Sequence, residues 1–230
     1  KNAISAYRTL TEHPAIQTFK QGDEVYFYYG YTLIQAGRPE LAADVYKKLL
    51  KQFPGSEFVP DAVLYFADRY FEARELDNAE AFYTKVLQFP KSKLYPYAVY
   101  KRGWVYFNQK RLDDSMKAMR ETIRLTGDNN LYGPMNKAAK KDFVHFYAEA
   151  DAPVNVAYQA FQGLDKTDYS FRMYGFLGDY YMDMGKAEKA IFVFHHMISL
   201  KPKDADVCVW QYNVARATMS IGSNTDKVKE

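Results

Sequence analysis

Small residues stand at a fixed interval along this chain of 230 residues. Gly30, Ala67, Gly103, Gly178 and Ala215 are separated by 37, 36, 75 and 37 residues. A second series keeps step with the first, since Ala42, Ala79, Ser115 and Ala190 each lie 12 residues beyond one of those positions. Self-similarity at such a period marks a repeat architecture, in which one supersecondary unit cannot bury its apolar face alone and stacks on its neighbours. Large residues three or four places from each small one keep helical spacing. Each unit therefore reads as two helices that approach closely at two points.

The clearest unit runs Tyr26, Tyr29, Gly30, Leu33, then Ala42, Tyr46, Leu49 and Pro54. Its twin runs Tyr174, Leu177, Gly178, Tyr181, then Ala190, Phe194, Met197 and Pro202. This pattern resembles the tetratricopeptide repeat. The resemblance implies antiparallel helices that meet at the Gly and Ala, large residues that fill the seam, and a Pro that ends the second helix because it cannot continue one. Two further units follow it with departures. One holds Val63, Phe66, Ala67, Tyr70, Ala79, Tyr83, Val86 and Pro90; the other holds Val99, Gly103, Tyr106, Ser115 and Met119, with Arg102 where the family has Leu. That Arg must snorkel or pair. A degenerate fifth unit keeps helical spacing at Phe143, Tyr147, Ala157 and Phe161, with a turn at Ala150-Asp151-Ala152-Pro153.

The expected architecture is all-α, a right-handed α-solenoid of tetratricopeptide-like helix pairs with about twelve helices. Its units are a half repeat at 1–14, repeats at 23–56, 60–93 and 96–129, the degenerate unit at 137–168, a repeat at 171–204 and a half repeat at 208–230. Ala3, Tyr7, Leu10 and Pro14 match a second helix, and Ala215 to Gly222 repeats the step of Gly30 to Gly37 and Gly178 to Gly185. The array thus reads as cut mid-repeat at both ends, a fragment of a longer protein with open solenoid ends available for self-association.

Composition narrows the function classes. Apolar residues at 48% and charged residues at 26% fit a globular chain. No apolar run is long enough to cross a bilayer. A net charge of +3, with its bases scattered apart from Lys137, Lys140 and Lys141, gives no footprint for nucleic acid. The single cysteine, Cys208, lies in an apolar helical stretch and is expected to be buried. No phosphate-binding loop, nucleophile elbow or zinc-protease motif is present. His195 and His196 are adjacent, so on a helix they diverge and do not chelate one metal; one is expected packed and the other solvated. His13 precedes a Pro and His145 stands alone in a helix. No catalytic residue, cofactor or metal is expected.

Function is therefore sought on the wall that the first helices of such repeats present. In this register the wall carries Phe27, Tyr28 and Tyr31, then Asp61, Tyr65, Asp68 and Glu72, then Tyr97, Tyr100, Trp104 and Phe107. Beyond the degenerate unit it carries Arg172, Phe176, Asp179, Met182 and Asp183, then Tyr212 and Arg216. Tyr, with 21 copies, suits half-buried binding surfaces. Asp68 with Glu72, and Asp179 with Asp183, are like-charge pairs one helical turn apart, unfavourable within a helix and useful to a basic ligand. The alternative is that the tyrosines pack between helices and the acids are solvated, with Arg69 or Lys101 beside them. The Lys and Asn clamp by which some tetratricopeptide proteins hold a C-terminal carboxylate is absent from this register.

Two linkers, Phe53-Pro54-Gly55-Ser56 and Phe89-Pro90-Lys91-Ser92, resemble those of bacterial envelope repeat proteins, the outer-membrane-assembly lipoproteins and the periplasmic partners of the Tol-Pal system. That resemblance implies a non-catalytic adaptor in the periplasm or at the outer membrane, in an envelope or motility complex, with the cytoplasm as the alternative site. The expected partner is a protein or peptide segment with basic and apolar anchors. Two alternatives are an interaction module of a larger enzyme or effector, and an RNA-binding helical repeat, the latter disfavoured by acids on the wall.

Overall fold

The computed structural model describes residues 2–127 and 130–227, so the expected repeat limits at 1, 129 and 230 lie outside the described residues. Twelve α-helices and no strand occur among them. The chain divides into two compact units, Lys1–Val105 and Tyr106–Glu230, with the division inside one helix.

The first unit contains α1 (Asn2–Glu12), α2 (Gly22–Gln35), α3 (Pro39–Gln52), α4 (Val59–Glu72), α5 (Leu76–Val86) and most of α6 (Tyr95–Asn108). Pro39 and Pro60 lie in the first turns of α3 and α4, where no intrahelical N–H bond is lost. α2 and α3 close on a core of Tyr26, Leu33, Ala42, Tyr46 and Leu49. α4, α5 and α6 close on Val63, Ala67, Ala79, Tyr83, Val86, Ala98 and Val105. Arg102 is half-buried and donates to the Thr84 hydroxyl at 3.4 Å. α1 meets α2 through Ile4 and through Tyr7, whose ring stacks on Tyr29. Ala3 and Leu10, assigned to a second helix without its first-helix partner, are exposed.

The second unit contains α7 (Leu112–Thr126), α8 (Gly133–Glu149), the short α9 (Ala157–Leu164), α10 (Tyr169–Asp183), α11 (Ala187–Leu200) and α12 (Val207–Lys227). Phe143, Tyr147, Ala157 and Phe161 are buried, and Tyr147 donates its hydroxyl to the Pro153 carbonyl at 2.6 Å. Tyr174, Leu177, Tyr181, Ala190, Phe194 and Met197 form the α10–α11 seam. Two expectations about α12 are corrected. Ala215 is exposed while Ala217 is buried with Trp210, whose ring meets Phe171 edge-on. Residues 210 and 217 are two turns apart on one side of the helix, so the 37-residue count stops two residues short of the buried face. Cys208 lies off that face and is exposed.

One turn recurs. Backbone N–H groups donate from Arg38 to Leu33, Glu75 to Tyr70, Arg111 to Tyr106, Ala152 to Tyr147 and Lys186 to Tyr181, each a six-residue closure at a helix end. The residue before each donor has positive φ: Gly37 and Gly185 at +69°, but also Arg74, Lys110 and Asp151. Only two of the five turns carry the glycine that announces them in sequence.

Gly30 does what its spacing implies. A Cβ on Gly30 would come within about 2.4 Å of the Tyr46 ring, which is wedged between Phe27 and Tyr65. Gly30→Ala should therefore destabilise the protein by about 1–3 kcal/mol, although Ala favours helix over Gly by about 1 kcal/mol. Chemical denaturation measures this; an unchanged or raised midpoint would mean that the Tyr46 ring yields.

Candidate functional site

In the first unit, α2 and α4 place the expected wall residues on an aromatic platform. Phe27 stacks on Phe58 with centroids 4.5 Å apart and on Tyr46 at 6.2 Å, and Tyr28 leans on the same Phe58. Tyr46 meets Tyr65 edge-on at 5.0 Å, and the Tyr65 hydroxyl donates to the Pro39 carbonyl at 2.7 Å. The Arg69 guanidinium lies over Tyr65 and pairs with Glu40 at 2.6 Å. These contacts fix the floor. Tyr28 and Tyr31 rise from it, 41% and 51% exposed. Phe58, absent from the expected wall, is central here; it is the N-cap residue of α4, and its signal is an aromatic immediately before a Pro-marked helix start.

Acids divide into two kinds. Asp68 accepts the Tyr83 hydroxyl at 2.5 Å, with Tyr97 and Lys101 near. Burial pushes its carboxyl above the usual range, and the Tyr83 hydroxyl and the Lys101 charge only partly offset that. Both tyrosines are driven far above their ordinary pKa, first by burial and then by the Asp68 charge. Asp68 and Tyr97 thus serve each other and the α4–α5–α6 junction. Glu72 is exposed; Tyr100 and Trp104 are half-buried on α6. Asp61, half-buried near the start of α4, is raised by burial and by Glu57. Its charge, with Tyr65 and Tyr31, adds to the burial that raises Tyr46, so these groups border one patch.

In the second unit, Phe107 stacks on Phe146 with centroids 4.3 Å apart and touches His145, which stacks on Tyr180. Phe176 is half-buried, whereas Asp179, Asp183, Tyr212 and Arg216 are exposed. The Asp179 carboxyl is raised, by crowding first and Asp183 second. His196 is half-buried and shares a 3.1 Å hydrogen bond with the Tyr174 hydroxyl, while His195 is exposed. Among the described residues, no group of three or more His, Cys, Asp or Glu could hold a metal ion, and no helix is long and apolar enough to cross a membrane.

Comparison with known proteins agrees with this geometry. Tetratricopeptide repeat models match residues 24–56 and 97–125 in one form and 171–204 in another. No curated protein matches the chain. Among solved structures it is similar to a tetratricopeptide repeat protein from Parabacteroides merdae, at 15% identity and a TM-score of 0.57 over 91% of this chain and 77% of that one. It is similar also to YrrB, described as a TPR protein with an unusual peptide-binding site, at 16% identity and a TM-score of 0.54 over 86% of this chain and 96% of that one. BtubC from P. vanneervenii matches at 12% identity and a TM-score of 0.55, over 97% and 89% of the two chains. The chain carries tetratricopeptide repeats, a fold generally used as a protein-interaction module.

Proposed function

We propose that this chain is a non-catalytic scaffold that holds a segment of a partner protein against the aromatic face of α2 and α4. The observation that carries this reading is the pair of exposed tyrosines, Tyr28 and Tyr31, on a floor whose rings are locked by stacking and hydrogen bonds. Rigid aromatics bind at low entropic cost and are enriched among interface hot spots. The peptide-binding site named for YrrB supports the same use of a similar fold. The Phe-Pro-x-Ser linkers favour an extracytoplasmic bacterial adaptor of an envelope or motility complex, which fractionation of the native protein tests.

Capture of partners by the full chain, followed by crosslinking mass spectrometry, tests the binding face. Tyr31→Ala should weaken capture at least tenfold, equivalent to about 1.4 kcal/mol. Its melting temperature should hardly move, because an exposed ring contributes little to folding. Crosslinks that map elsewhere, with capture unaffected by Tyr31→Ala, would overturn the assignment.

A further inference from the structure

The two Phe-Pro-x-Ser linkers are not equivalent in three dimensions. In the first, the Ser56 hydroxyl accepts the Phe58 N–H at 3.1 Å and donates to the Asp23 carboxylate at 2.6 Å, tying the linker to the start of α2. In the second, Ser92 accepts the Leu94 N–H in the same way. Its counterpart to Asp23, the second residue of the preceding first helix, is Pro60, which offers no side-chain acceptor. The closing bond is lost, and a cleft of about 740 Å³ lies between the start of α4 and residues 88–94.

The cleft has an apolar lining of Pro60, Phe89, Pro90 and Leu94, with Glu57 and Asp61 on the α4 side. Neither carboxylate has a hydrogen bond or ion pair to another side chain among the described residues, and the half-buried Asp61 is met by its own backbone N–H. Lys91, Lys93 and Gln88 complete the opposite wall and are exposed. A ligand gains most by neutralising the desolvated charge, which is the acid. Asp68, the acid that the sequence pattern favours for this purpose, is already held by the Tyr83 hydroxyl.

We propose that this cleft seats a lysine or arginine side chain of a bound partner polypeptide, with the cationic group on Asp61 and Glu57 and the stem along Phe89, Pro90 and Leu94. The Ser92 hydroxyl is placed to donate to a backbone carbonyl of the same segment. This deepens the scaffold reading and rests on it: Asp61 also borders the Tyr31, Tyr46 and Tyr65 patch, so one segment can use both.

The test uses the ¹⁵N-labelled full chain titrated with N-acetylarginine methylamide, and with N-acetylcitrulline methylamide as an isosteric probe without charge. Saturable amide shifts are expected at residues 57–61 and 88–94 with the arginine probe, at least tenfold weaker with the citrulline probe. Asp61→Asn should weaken the arginine probe at least tenfold, and the exposed Glu57→Gln should weaken it severalfold if the first variant perturbs folding. No saturable shift there, equal response to both probes, or full binding by the folded variants would overturn the proposal. Partner capture separates the two readings. If Tyr31→Ala abolishes capture and Asp61→Asn leaves it intact, the cleft proposal fails and the scaffold stands. If neither variant affects capture, the aromatic-face reading fails whatever the probes do.

Discussion

Phe194→Ala is expected to lower stability by about 3–5 kcal/mol, among the largest losses that a single truncation gives. The ring is 1% exposed and lies across the face of α10 where Gly178 has no side chain. A Cβ on Gly178 would sit about 2.8 Å from the ring edge, so glycine and aromatic fit as one shape. Removing the ring leaves a void that the bare helix cannot fill, which places this site at the costly end of the range. Denaturant unfolding followed by circular dichroism reads the loss directly. A change below about 1 kcal/mol would mean that the α10–α11 seam is loose.

The Gly178–Phe194 seam was legible because close helix contact restricts residue type at two positions a constant distance apart. Gly30 with Tyr46 follows the same rule, as do the buried Ala42, Ala67, Ala79, Ser115 and Ala190. Legibility fell where the constraint weakened. In α12 the buried stripe is set by Trp210 against Phe171, and no count of small residues specifies which side of a helix a tryptophan will anchor. Ala215 and Cys208 therefore lie off the face that the spacing assigns to them. On the candidate site, sequence identified the aromatic helix faces but not how polar groups are shared. Asp68 is a surface acid by spacing, yet Tyr83 from the following helix reaches it. Asp61 has the same spacing credentials and no such partner. The distinction depends on which residue of the next element arrives opposite, and that is a tertiary fact. The loss of the Ser56–Asp23 tie in the second linker shows the same limit, since both linkers read alike and differ through a residue some thirty positions upstream.

Lys140 shows how a charge pattern can mislead. With Lys137 and Lys141 it looks like part of a solvated basic cluster, but its ammonium pairs with Asp165 at 2.7 Å, and the side chains are only 14% and 7% exposed. Asp165 also accepts the Thr167 N–H at 2.7 Å and its hydroxyl at 2.6 Å. Burial alone would raise the Asp165 pKa; the Lys140 and Thr167 bonds outweigh it and hold the group below the ordinary carboxylate value. Lys140→Met strands that carboxylate, and the expected cost at neutral pH is about 3–5 kcal/mol. The sign of the pH dependence follows from the lowered folded-state pKa. The pair's contribution is present above the unfolded carboxylate value of about 3.9 and is lost as pH falls through the folded one. The gap between wild type and Lys140→Met should therefore narrow progressively below about pH 4. Lys140→Met combined with Asp165→Asn should recover much of the loss, because no isolated charge is then buried. Denaturant midpoints at neutral and acidic pH measure all three variants. A loss under about 1 kcal/mol, or one that does not change with pH, would show the pair to be hydrated rather than buried.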